Sequence, residues 1–170
     1  KLYMARLCDN LRTLIISGIP LLRALTITSD VVGNAVYQKA VQNSIESVKG
    51  GGTISGAFEK TKEIPPMVTQ MIKVGETSGR LDFILASITK FYQREVDSLL
   101  ENLVAIELKR RSGAGDFSFF YWDNNSVECD FVGRKGHKFV LACQVCYDLN
   151  MGNRKRETAG FYGVIIRLRT

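Results

Sequence analysis

Hydrophobic periodicity changes once along this chain, and that change constrains the fold more than any other feature. Through about the first hundred residues, apolar side chains recur at spacings of three and four, which places them on one face of successive helices. After Lys109 the pattern turns to short aromatic and β-branched runs. The spacing of Leu7, Leu11, Leu14 and Ile15 predicts a first helix, stopped by Gly18 and Pro20. Pro20 then suits the first turn of a second helix carrying Leu21, Leu22, Leu25 and Ile27, closed by Gly33. Asn34 is placed to cap a third helix running to about Val48. Gly50, Gly51 and Gly52 form a connector, and Thr53 caps a short fourth helix with Ile54, Ala57 and Phe58. Pro65 and Pro66 open a fifth, with Met67, Val68, Met71, Ile72 and Val74 apolar and Gly75 as its terminator. Thr77 or Ser78 can cap a sixth, whose seam runs through Leu81, Ile84, Leu85, Ile88, Phe91, Tyr92, Val96 and Leu99. The expectation is an all-α bundle of about six helices, with Met67 and Met71 in its core.

Composition narrows the function classes. The 170 residues carry a formal charge of +6, split evenly: 12 Lys and Arg against 9 Asp and Glu in residues 1–100, and 11 against 8 in residues 101–170. Neither part gathers the dense basic stripe of a nucleic-acid binder, so no nucleic acid is expected as partner. Lys109, Arg110 and Arg111 read as a solvated helix end. The best apolar stretch, Leu11 to Leu25, is broken by Arg12, Thr13, Ser17, Gly18, Pro20 and Arg23, which opposes a transmembrane span. Asp9 and Arg12 oppose a cleaved secretory signal, and a chain opening on Lys reads as a fragment of a longer protein. Four scattered cysteines fit a reducing compartment. The glycine triplet lacks the Gly-Lys-Ser/Thr ending of a nucleotide loop, and no catalytic or cofactor constellation stands out in the helical part.

Four segments in order carry a family resemblance: LIISGIPLLRALTI (Leu14 to Ile27), VKGGGTISGAF (Val48 to Phe58), IPPMVTQMIKVGETSGRLDFIL (Ile64 to Leu85) and FYQREVDSLLENLVAI (Phe91 to Ile106). Over about residues 5–106 the chain resembles a cytoplasmic helical domain of the type II secretion system F family, platform proteins of secretion and type IV pilus machines. The resemblance implies a non-enzymatic scaffold at the cytoplasmic face of the bacterial inner membrane, coupling a hexameric secretion ATPase to pilus or pseudopilus assembly. It implies contacts with that ATPase and with other platform proteins, a possible homo-oligomer, no cofactor, and membrane attachment only through flanking spans outside this segment. Glu76, Thr77 and Ser78 are the candidate partner-contact or helix-capping residues, and Glu76 is suited to bond a neighbouring helix start.

The remaining residues give a different signal. FSFFYW (Phe117 to Trp122), VECDFV (Val127 to Val132) and KFVLACQVCYDL (Lys138 to Leu149) read as three strands of an antiparallel meander in a small α/β segment. Turns are expected at Asp123-Asn124-Asn125 and from Gly133 through Gly136, a helical patch around Arg154 to Ala159, and a last strand in GFYGVIIRLRT. Residues 101–160 resemble the C-terminal, nuclease-like domain of a prokaryotic AAA-type ATPase family. That likeness places an acidic residue at Asp130, but Gln144-Val145-Cys146 stands where a second acid and a lysine belong, so the nuclease pattern is degenerate. The alternative function it implies is an inactive metal-dependent nuclease-like or ATPase-associated domain in residues 107–170. Cys129, His137, Cys143 and Cys146 could in principle ligate zinc. On one strand, however, Cys143 and Cys146 point to opposite faces, so buried strand cysteines and no metal are expected. Both resemblances claim Glu101 to Ile106, which marks a joint between two unrelated segments, 1–106 and 107–170, fused in the gene or in its assembled sequence.

Overall fold

The computed structural model describes residues 1–112, 117–123, 128–146 and 164–167. The chain divides into two compact units, Lys1–Arg94 and Glu95–Thr170. The order of elements is α1 (Leu2–Ile16), α2 (Leu21–Val31), α3 (Ala35–Lys49), α4 (Ile54–Phe58), α5 (Pro66–Ser78) and α6 (Leu81–Ser112), then β1 (Phe117–Asp123), β2 (Glu128–Lys135), β3 (Lys138–Cys146) and β4 (Val164–Arg167). Six helices followed by a sheet match the fold expected from the periodicity. The expected helical patch around Arg154 to Ala159 and the Asn124–Asn125 turn lie outside the described residues.

Local chemistry sets most helix boundaries. Gly18 and Gly33 take left-handed φ values of 77° and 72° after α1 and α2, a conformation that costs glycine nothing. Pro20 precedes α2, and Pro66 occupies the first turn of α5, where its missing amide hydrogen has no partner to lose. The Asn34 side chain accepts hydrogen bonds from the amides of Val36 at 3.0 Å and Tyr37 at 3.3 Å, capping α3.

One apolar core joins all six helices. Met4, Leu7 and Leu11 of α1, Leu25 of α2, Val41 of α3, Ile54 and Phe58 of α4, Val68 and Ile72 of α5, and Leu85, Ile88 and Tyr92 of α6 belong to it. Tertiary packing therefore holds helices such as five-residue α4 that have no stability alone. Two expected core members are not there. Met67 is 46% and Val74 57% exposed, while Met71 is half-buried against the core. At ~100° per residue, positions 67 and 74 fall on the side of α5 opposite Val68 and Ile72.

Gly75 also differs from expectation. It does not end its helix: α5 continues to Ser78, and Gly79, with a left-handed φ of 68°, makes the stop. The Gly75 carbonyl accepts from the Arg80 amide at 3.0 Å across that turn. A Cβ on Gly75 would lie 3.1 Å from Ile84 Cγ1 and 3.2 Å from Leu81 Cα, so a glycine here lets α5 and the start of α6 touch.

The second unit contains a sheet of order β1-β2-β3-β4. β1 with β2 and β2 with β3 pair antiparallel, as expected, whereas β3 and β4 pair parallel, Cys143 opposite Val164 and Cys146 opposite Arg167. The turn expected from Gly133 through Gly136 is shorter: β2 runs on to Lys135, and Gly136 alone, at φ 59°, takes the left-handed turn conformation. Gly133 is a close-approach residue within the strand, where a Cβ would come 3.0 Å from both Phe119 Cε1 and Leu141 Cβ.

Crowding at Gly75 gives a test. Alanine gains about 1 kcal/mol of helix propensity but meets Ile84 and the Leu81 backbone, an overpacking cost of about 1–3 kcal/mol. Gly75→Ala should therefore be neutral to destabilising by about 2 kcal/mol, and Gly75→Leu destabilising by more than about 3 kcal/mol. Urea unfolding of the whole chain followed by helical circular dichroism measures both.

Candidate functional site

The residues singled out around Glu76 meet a second part of the helical unit at the start of α4. The chain arrives there through the glycine triplet. Gly51 adopts φ 80°, and Gly52 passes so close to α3 that a Cβ would lie 2.6 Å from Ser47 Oγ. Ser47 Oγ donates to the Thr53 carbonyl at 3.0 Å, fixing the last residue before the helix. Thr53 is extended, and its hydroxyl accepts from the Gly56 amide at 3.0 Å, as expected of an N-cap.

Glu76 completes the cap from 22 residues away. Its Oε1 accepts from the Ile54 amide at 2.6 Å, and its Oε2 accepts from the Ser55 amide at 3.3 Å and from Ser55 Oγ at 2.6 Å. The Ala57 amide donates to the Thr53 carbonyl at 3.3 Å. The amides of Ile54, Ser55, Gly56 and Ala57 thus all find acceptors, two of them on one carboxylate. A negative charge at a helix start also meets the positive end of the backbone dipoles. Charge-assisted bonds of this kind contribute about 1.5–3 kcal/mol.

Thr77 and Ser78 do something else. Thr77 Oγ1 donates to the Lys73 carbonyl at 3.0 Å, and Ser78 Oγ donates to the Val74 carbonyl at 2.7 Å. Both hydroxyls turn back into their own helix, and α6 begins at Leu81. Both residues are exposed, alongside Met67 and Val74. Three parts of one short segment therefore have separate jobs: Gly75 admits α6, Glu76 holds α4, and Gly79 turns the chain.

Cys8, Cys129 and Cys143 are buried free thiols. Burial, with a smaller push from Asp9, raises the Cys8 thiol to about 12, and burial raises Cys143 to about 11 with help from Asp130 and Cys129. Cys129 is raised by burial as well, against a smaller opposing pull from the backbone of Cys143 and Phe131. Burial thus favours the neutral thiol over the thiolate at all three positions. His137 is exposed in the β2–β3 turn, and among the described residues no three His, Cys, Asp or Glu side chains are grouped to hold a metal. Asp130 is buried, and its Oδ2 accepts from the Val145 amide at 2.6 Å. That carboxylate oxygen is committed to the sheet backbone.

The fold and this site define a small helical bundle closed by a polar clasp. The comparisons with known proteins then give its family. The sequence profile described as "Type II secretion system (T2SS), protein F" matches residues 7–106, more than half of the chain, and the chain belongs to this family. It is 39% identical over 106 residues to the type IV pilus assembly protein PilC of Myxococcus xanthus, covering 62% of this chain and 25% of that protein. It is 34% identical over 106 residues to PilC of Pseudomonas aeruginosa, covering 62% and 28%. With the type II secretion system protein F of the same organism it shares 31% identity over 102 residues, covering 60% and 25%. The chain thus spans about a quarter of the length of the curated relatives it matches. None of these names carries an enzymatic activity. No described helix is long and apolar enough to cross a membrane.

Two substitutions test the clasp. Glu76→Ala removes both acceptors and should destabilise the helical unit by about 2 kcal/mol; Glu76→Gln, which keeps one acceptor without the charge, should cost about half as much. Thr77→Ala and Ser78→Ala should each stay within about 0.5 kcal/mol. Thermal unfolding of the four variants beside the parent chain provides the ranking.

Proposed function

We propose that the helical unit is a protein–protein scaffold of a secretion or type IV pilus platform, coupling a cytoplasmic ATPase to pilus or pseudopilus assembly. The family match over residues 7–106 carries this reading, because it covers the helices that build the single core. On this reading the working face is helical and non-catalytic, and the segment works at the cytoplasmic face of the inner membrane beside other platform proteins or further copies of itself.

The outward side of α5 is the proposed contact. Met67 and Val74 are exposed at a spacing of seven, with exposed Thr77 and Ser78 a turn further on. Methionine adapts its shape to an irregular apolar partner, and short hydroxyls leave the face free of charge that a partner would have to desolvate. Glu76 supports this face from behind, since its carboxylate is engaged with α4.

Residues 1–106 form the platform segment on this reading, and residues 107–170 a separate segment joined near Glu101 to Ile106; the end of the family match at residue 106 supports that division. The nuclease-like alternative for residues 107–170 requires a free carboxylate at Asp130, and the bond from the Val145 amide lends it no support.

The test is binding of the whole chain to the hexameric secretion or pilus ATPase encoded with it, measured by biolayer interferometry. Saturable binding that weakens at least about tenfold in Met67→Glu/Val74→Glu, at unchanged thermal stability, is expected, since buried apolar anchors contribute about 2 kcal/mol or more at an interface. Binding that ignores these substitutions would remove α5 from the contact. A lack of binding to the ATPase would remove the coupling role.

A further inference from the structure

The outward side of α6 within the first unit carries side chains that neither the core nor the α5 contact uses. Phe83, Lys90 and Arg94 are spaced by seven and four, so at ~100° per residue they lie within about 20° of one line along the helix. Phe91 lies about 80° around the helix from that line, its ring edge-on to that of buried Tyr92 with centroids 5.1 Å apart. Arg80, just ahead of the helix, holds its guanidinium carbon 4.8 Å from the centre of the Phe83 ring. Phe83 is 55% and Phe91 44% exposed, although Leu85, Ile88 and Tyr92 of the same helix are buried. The Phe83 ring is therefore outside the core seam, and the Phe91 ring sits at its exposed margin.

Arg80, Lys90 and Arg94 are all exposed, and none has a carboxylate partner among the described residues. Lys90 and Arg94 are a like-charged i, i+4 pair, an arrangement that slightly weakens a helix. Asp82 flanks the line about 100° away around the helix, and Asp97, just beyond Arg94 and about 40° from the line, is half-buried and already engaged with another group. Interleaved cations and phenyl rings on a single helix make a convex face. A docking peptide helix needs a groove, whereas a flat, fluid surface does not.

We propose that this face seats on an anionic lipid bilayer. The Phe83 and Phe91 rings enter the boundary between headgroups and acyl chains, and Arg80, Lys90 and Arg94 meet lipid phosphates. Long basic side chains reach headgroups while their stems lie along apolar surface, and each contributes to attraction by a negative leaflet. This contact does not depend on the ATPase reading, and either one can fail without the other.

The experiment is flotation of the whole chain with phosphatidylcholine vesicles, with and without phosphatidylglycerol. Binding is expected to the anionic vesicles and not to neutral ones. Arg80→Glu/Lys90→Glu/Arg94→Glu should lower the partition coefficient at least about tenfold, while Arg80→Lys/Lys90→Arg/Arg94→Lys retains it. Arg23→Glu/Lys39→Glu/Lys60→Glu changes net charge equally elsewhere on the first unit and should have a clearly smaller effect. Phe83→Ser/Phe91→Ser should weaken binding several-fold. All the altered side chains are exposed, and circular dichroism checks that each variant is folded. Equal binding to neutral and anionic vesicles, an equal loss in the control triple variant, or no effect of the phenylalanine changes would overturn the proposal. Binding to polyglutamate without binding to vesicles would overturn it in favour of an acidic protein partner.

Discussion

A five-residue helix cannot hold itself together, so the helical unit depends on what fixes the start of α4. Its first amides need acceptors in a place where Ile54 and Phe58 are fully buried. Thr53 supplies two of them, through its hydroxyl and its carbonyl, and the Glu76 carboxylate supplies the rest from α5. Burying a side chain such as Phe58 contributes about 1.5–3 kcal/mol, but a buried amide without a partner costs a similar amount. The clasp lets the apolar gain survive. It also ties the glycine connector to α5, joining parts of the chain that are far apart in sequence.

The same segment sets the geometry on its other side. Gly75 brings α5 within contact of Leu81 and Ile84, and Gly79 reverses the chain to make that contact possible. With α4 held by Glu76 and α6 admitted by Gly75, Val68 and Ile72 face a common core with Leu85 and Ile88. Met67 and Val74 are left outside because the inward side of α5 is already filled. The exposed apolar side of α5 thus follows from how the core closes.

Much of this was legible in the sequence. Asn34 and Thr53 announce their caps because a short polar side chain before an apolar-periodic run has one obvious use. The six helices follow from spacing alone, and Glu76 was recognisable as a group suited to another helix's start. What spacing could not tell was which apolar residues lie inside: Met67 and Val74 are as apolar as Val68 and Ile72, and only the packing of neighbouring helices separates them. Gly75 misled because a helix-interior glycine and a terminating glycine look alike until the second helix is in place. Gly133 misled in the same way, as a residue that makes room for Phe119 and Leu141 rather than for a turn. The parallel pairing of β3 with β4 was not legible either, because strand direction depends on the connection, and nothing in a four-residue strand encodes it.

The chain belongs to the secretion protein F family, and in this member the clasp holds α4, α5 and the start of α6 in fixed relation. The central claim is that Glu76 couples α4 to the rest of the bundle. Amide hydrogen exchange at Ile54 and Ser55 in the whole chain tests it most directly. In the parent protein these amides should exchange about as slowly as the core amides of α5, and in Glu76→Ala they should exchange at least about tenfold faster while the α5 core stays protected. Fast exchange in the parent, or unchanged protection in the variant, would contradict the account.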